Sequence, residues 1–102
     1  MNNKITVLMV DDNQSVSRTF ARILEKGGYA IDLAETGEEA IKKLEENSYA
    51  VALIDLHLSD MDGIKLIEKM PRTEDTVKII ITGLQLIELG NKTSSKELMR
   101  YC

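Results

Sequence analysis

Two short apolar runs in this chain end on carboxylates, and that placement narrows the fold more than any other feature. Ile5-Thr6-Val7-Leu8-Met9-Val10 leads directly into Asp11-Asp12, and Val51-Ala52-Leu53-Ile54 leads into Asp55. Runs this short, rich in branched residues and closed at once by acid, read as buried strands. In a parallel sheet the carboxyl ends of neighbouring strands lie side by side. Open α/β sheets place their ligand sites there, so acids at two strand ends converge on one pocket. Clustered anions repel: two unit charges about 5 Å apart cost roughly 3 kcal/mol at an effective dielectric near 20. A hard divalent cation with oxygen ligands offsets that cost. The residues therefore imply metal-assisted chemistry centred on Asp55.

Between and beyond these runs the pattern alternates strand and helix, which predicts an α/β fold, a doubly wound parallel sheet with helices on both faces. Strand one covers residues 4–10. Asp12 or Asn13 caps a first helix carrying Val16, Phe20, Ile23 and Leu24 at helical spacing, and Gly27-Gly28 supplies its left-handed end. Strand two covers residues 29–34. Thr36-x-x-Glu39 is a capping-box signature for a second helix with Ala40, Ile41 and Leu44 facing inward. Strand three, residues 50–54, is almost wholly apolar, as a strand buried on both faces should be. A polar loop over 57–63 precedes a third helix on Ile64, Ile67 and Met70, which Pro71 stops. Strand four covers residues 77–81, and Thr82-Gly83 closes it. Farther on, Leu84, Leu86, Ile87 and Leu89 suggest a short helix before Gly90. Asn91 to Ser95 reads as loop, and 98–102 as either a last helical turn or a stub of strand.

Composition sets the class. The chain has 102 residues, room for one small domain, and 43% are hydrophobic, enough for a core. A net charge of −4 and a pI near 5.0 argue against a nucleic-acid partner, which needs a basic face. The single cysteine, Cys102, allows no intrachain disulfide and suits a reducing cytoplasm. The first apolar run is too short for a signal peptide or a membrane span. The expectation is a cytoplasmic protein with no membrane partner.

Val10-Asp11-Asp12, then Asp55-Leu56-His57-Leu58-Ser59-Asp60-Met61-Asp62-Gly63, then Ile79-Ile80-Ile81-Thr82-Gly83 follow one another at predicted strand ends. In that order they resemble the receiver domain of two-component response regulators, over about residues 4–83. The resemblance implies a flavodoxin-like sheet with strand order 2-1-3-4 and a fifth strand beyond it. It implies that Asp55 accepts a phosphoryl group from a histidine kinase or phosphotransfer protein. It also implies that Mg²⁺ is held by Asp11, Asp12, Asp55 and the backbone carbonyl of His57. Thr82 is then the switch hydroxyl that meets the phosphoryl group, and Gly83 leaves its backbone N–H free to do the same. Such a domain promotes its own phosphorylation and is not an enzyme acting on an external substrate. His57 itself, a lone loop histidine, reads as solvent-exposed. Asp60 and Asp62 read as loop and helix-cap acids.

The resemblance breaks after Gly83. The family's fifth strand ends in a lysine, usually followed by proline, and the only proline here is Pro71. Counted on from Thr82, the family's switch aromatic falls near Tyr101 and the lysine beyond Cys102. Lys92 and Lys96 are the candidates to replace it, and both read as solvated surface. Residues 1–83 are thus expected to form a receiver-like core and 84–102 an atypical tail of the same domain, with strand five and helix five missing or altered. Strand four would then be an exposed edge, and a homodimer through strand four and the C-terminal region is expected. Two other readings compete. A pseudo-receiver would bind partners or dimerise without phosphorylation. A haloacid-dehalogenase-type phosphatase would need a second acid two residues after Asp55, where His57 stands.

Overall fold

In the computed structural model, which describes residues 4–70, 75–82, 85–89 and 99–101, the alternating pattern becomes β1 (Thr6–Val10), α1 (Gln14–Lys26), β2 (Ala30–Ala34), α2 (Gly37–Glu46), β3 (Val51–Asp55), α3 (Gly63–Lys69) and β4 (Val77–Thr82). Two further strands follow, β5 (Gln85–Leu89) and β6 (Met99–Tyr101). One sheet takes all six in the order β2-β1-β3-β4-β5-β6. The first four strands are parallel, in the expected order 2-1-3-4.

The sheet divides the apolar residues by strand parity. Leu8, Val10, Ala52, Ile54 and Ile80 point to one face, where Ala40 and Leu44 of α2 and Leu66 and Ile67 of α3 cover them. Val7, Met9 and Leu53 point to the other, against Val16, Phe20 and Leu24 of α1. Burying one such side chain contributes about 1.5–3 kcal/mol, so this two-layer core holds β1 and β3 at the centre.

The helix ends follow the predicted chemistry with small changes. Asn13, not Asp12, caps α1: its side chain accepts from the amides of Ser15 and Val16. Thr36 caps α2 through the amide of Glu39 at 3.0 Å. Glu39 completes the box by accepting from Glu35, one residue before the cap. Gly28 has φ +94°, the left-handed turn expected after α1. Two apolar residues at helical spacing are exposed. Ile23 is 62% exposed and Ile64 41% exposed. The stripe of α1 that packs on the sheet passes through the partly buried Val16, Phe20 and Leu24, and Ile23 lies on its flank. In α3 the stripe passes through Leu66 and Ile67.

The tail departs from expectation. Residues 85–89 form a strand, not a short helix, and pair antiparallel with β4 from Lys78↔Leu89 to Thr82↔Gln85. The edge of β4 is therefore occupied by the same chain. The physical reason is the sheet itself: β4 presents a row of backbone donors and acceptors, and pairing satisfies them where a helix would not. Residues 99–101 take the strand alternative as β6, antiparallel to β5. Pro71, Gly83, Leu84, Gly90, Lys92, Lys96 and Cys102 lie outside the described residues, as does the loop predicted at 91–95.

Candidate functional site at the carboxyl ends of β1 and β3

Strand register builds the site. Val10 of β1 pairs with Ile54 of β3, so the next residues, Asp11 and Asp55, emerge side by side. Asp55 is the last residue of β3 and pairs with Ile81 of β4, which places the backbone of Thr82 one step beyond it. The amide of Leu56 donates to the carbonyl of Ile81 at 3.0 Å and fixes that junction. The side chain of Thr82 lies outside what the structure describes.

Carboxylate oxygens of Asp11, Asp12 and Asp55 all lie within 4.8 Å of one another. Asp11 is buried, Asp55 partly buried and Asp12 exposed, so the cluster opens to solvent on one side. Burial pushes the Asp11 carboxyl above its usual range, the amide of Asn13 opposes this, and the charges of Asp55 and Asp12 add to the rise. Asn13 N–H donates to Asp11 Oδ1 at 2.9 Å, and Ser17 Oγ lies 3.5 Å from the Asp11 carbonyl. Among the described residues, neutral amides of Asn13 and His57 donate to this cluster, which leaves an excess of negative charge. An all-oxygen carboxylate set with that excess fits a hard divalent cation and does not fit a thiophilic metal.

The loop after β3 is tightly formed. Gly63 N–H donates to the Leu56 carbonyl at 2.7 Å and Leu58 N–H to the Met61 carbonyl at 3.1 Å. His57 and Asp62 form an antiparallel bridge, and His57 N–H reaches Asp55 Oδ1 at 3.3 Å. The His57 ring is on the exposed surface, as expected. Asp62 caps α3 through the amide of Lys65 at 2.7 Å. Asp60, read from sequence only as a loop or cap acid, accepts from the amides of Gly37 and Glu38 at the start of α2. No local signal points to that pairing, because its partners lie 23 and 22 residues away in sequence. Beside the cluster, a cavity of about 200 Å³ between α1 and the end of β2 is lined by Asp11, Gln14, Ser17, Arg18, Leu33, Ala34 and Glu35. Neither Asp12 nor Asp55 lines that hollow.

Comparison with known proteins agrees with this geometry. The family model for the response regulator receiver domain matches residues 7–96. The chain is 39% identical over 79 residues to the acid tolerance regulatory protein ActR of Rhizobium meliloti, covering 76% of this chain and 41% of that protein. It is 38% identical over 81 residues to the transcriptional regulatory protein ResD of Bacillus subtilis, covering 79% of this chain and 34% of that protein. The chain thus spans well under half the length of these curated relatives. A receiver domain from Methanospirillum hungatei aligns with a TM-score of 0.70 and 33% identity over 79% of this chain and 66% of that one. A response regulator from Burkholderia pseudomallei, solved with a phosphorylated aspartic acid, a calcium ion and citrate, aligns with a TM-score of 0.69 and 31% identity, over 78% of this chain and 48% of that one. Among the described residues no helix is long and apolar enough to cross a membrane. With a family match over most of its length and a sheet that aligns with solved receivers, this chain belongs to the response regulator receiver domain family of two-component signalling.

Proposed function

We propose that Asp55 is the phosphoryl acceptor of this receiver and that a histidine kinase or phosphotransfer protein is the donor. The observation that carries the reading is the cluster of Asp11, Asp12 and Asp55 oxygens within 4.8 Å at the ends of two adjacent parallel strands. A carboxylate oxygen of Asp55 attacks the phosphorus of a phosphohistidine. The new O–P bond makes an acyl phosphate as the P–N bond breaks, and the released imidazole takes up a proton. The phosphorylated aspartate and calcium ion named for the Burkholderia relative support the same assignment.

Asp11, Asp12, Asp55 and the carbonyl of His57 are the groups that would hold Mg²⁺. The ion supplies neutralisation of charge as one anion approaches another, which is most of what phosphoryl transfer demands. The chain's own contributions are positional. β1 and β3 set the carboxylates side by side, and the bridged loop after β3 brings the His57 backbone to Asp55, its amide 3.3 Å from Asp55 Oδ1. Thr82, at the end of β4, is the hydroxyl assigned to the phosphoryl group, with the amide of Gly83. The chain is then a partner in one transfer and not an enzyme with an external substrate. The division into a core over 1–83 and a tail over 84–102 belongs to the same reading. β5 and β6 continuing the core sheet support one domain.

Homodimerisation through the C-terminal region completes the proposal, with a changed contact. β4 is paired on both sides, so among the described strands the sheet's edge in the C-terminal region is β6, with β2 at the opposite edge. Size-exclusion chromatography with light scattering tests it, and a monomer at micromolar concentration overturns it.

The decisive experiment is intact-protein mass spectrometry after incubation with acetyl phosphate and Mg²⁺, with Asp55→Ala alongside. One phosphoryl adduct that needs Mg²⁺ and is missing from the variant is the expected result. An unmodified wild-type protein would instead favour a pseudo-receiver.

A further inference from the structure

The loop after β3 is anchored at a point that its own hydrogen bonds do not explain. It closes on itself through the His57–Asp62 bridge and through Gly63 N–H to the Leu56 carbonyl. Its tip then reaches across to a different element. Asp60 Oδ1 accepts from Gly37 N–H at 2.9 Å, and Asp60 Oδ2 accepts from Glu38 N–H at 3.1 Å. Thr36 Oγ1 already takes the next amide, that of Glu39, at 3.0 Å. The first three amides of α2 are thus each met by a side chain, and two of them by one carboxylate from the loop. Beside this contact Met61 fills the space over Gly37, where an added Cβ would lie 2.5 Å from Met61 Sδ.

We infer that Asp60 is a positioning residue for the phosphorylation site: by gripping two amides of α2 it holds the 57–62 loop, and with it the His57 carbonyl, in register with Asp11, Asp12 and Asp55. The inference rests on the proposed role of that carbonyl as a metal ligand. Its physical basis is that a carboxylate held by two charge-assisted hydrogen bonds is fixed in both direction and distance. The loop has Asp55 and β3 at one end and α3 at the other, so a third anchor at its tip removes the remaining freedom to tilt. Outer partners of this kind set ligand orientation in metal sites.

An ordinary helix cap would make the same two bonds, so the test must separate cap from positioning. Three variants do so: Asp60→Ala, which removes both bonds; Asp60→Asn, which removes the charge and keeps an acceptor; and Thr36→Ala, which removes the other cap of α2 without touching the loop. Mg²⁺ affinity is measured by calorimetry, fold stability by urea unfolding, and amide exchange by NMR. Asp60→Ala is expected to weaken Mg²⁺ binding roughly tenfold, the low end for loss of an outer-shell partner. It is also expected to speed amide exchange across 57–62. Asp60→Asn, which keeps one of the two acceptor oxygens, falls between Asp60→Ala and wild type, and Thr36→Ala lowers stability with affinity unchanged. Mg²⁺ affinity in Asp60→Ala within twofold of wild type would overturn the inference, as would an equal loss in Thr36→Ala. Should wild type bind no Mg²⁺, the metal reading of Asp55 fails separately, and amide exchange decides the latch. Exchange across 57–62 unchanged in both Asp60 variants overturns it.

Discussion

Asp11 shows how one residue can serve a site at the expense of the fold. It is 5% exposed, and burial, with the nearby charges of Asp55 and Asp12, raises its carboxyl above the ordinary aspartate value of 3.8. A raised pKa in the folded state means that folding favours the protonated form. The stability from that proton is fully present below 3.8 and is lost as pH rises through the folded pKa. Asp11→Asn keeps an acceptor for the amide of Asn13 and removes the charge. Without metal it is expected to raise stability by about 1 kcal/mol at neutral pH, given like charges at this spacing. The gap to wild type should shrink as pH falls towards 3.8. Urea unfolding in EDTA checks both statements, and a destabilised variant at neutral pH would refute them. Added Mg²⁺ should stabilise wild type and leave the variant nearly unchanged, because binding to the folded state alone shifts the unfolding equilibrium. Tyr49 is the contrasting case, a polar group that supports the fold. It is 4% exposed, and its hydroxyl donates to Asp32 Oδ2 at 2.6 Å. Burial and that bond push the phenol well above its usual range, so it remains a donor at any working pH. Tyr49→Phe is expected to cost about 1–2 kcal/mol in urea unfolding.

Among the elements, the junction of β3 and α3 leaves little room for change. Gly63 opens α3, and a Cβ there would meet the carbonyl oxygen of Asp55 at 2.7 Å and Ile54 at 3.0 Å. Both obstacles belong to the central strand that carries the proposed acceptor, so neither yields easily. Gly63→Ala is expected to cost about 2 kcal/mol or more, the range for overpacking a tight site. It should also shift the NMR signals of residues 55–57, and unchanged signals with unchanged stability would show that the strand gives way. The helices were legible where a local rule acts alone. Thr36 caps α2 and Asn13 caps α1 because side chain and amide lie within three residues of each other. Ile23 and Ile64 keep helical spacing and are still exposed, because spacing identifies a stripe but not its flank, and only the neighbouring layer decides which side is covered. Asp60 was half legible: its loop position follows from sequence, and its partners on α2 do not.

For the whole molecule, the deciding feature is the sheet edge after β4. Sequence reasoning left β4 exposed, and the structure covers it with β5 in antiparallel pairing. A chain ending at Thr82 would uncover that edge, a row of backbone donors and acceptors open to another chain. Such a truncation is expected to associate with rising concentration in light scattering, more strongly than the full chain. Equal behaviour would show that β5 does not guard the edge. The sequence by itself determined the parallel core, because short apolar runs alternating with helical stripes admit few arrangements. It also determined the three aspartates, because Asp11-Asp12 and Asp55 each close a short apolar run. Tertiary structure alone decided that residues 85–89 form a strand, because their apolar pattern suits either form until an unpaired edge lies beside them. It alone decided that Asp60 grips α2, because a hydrogen bond between residues 23 apart exists only once the layers have packed.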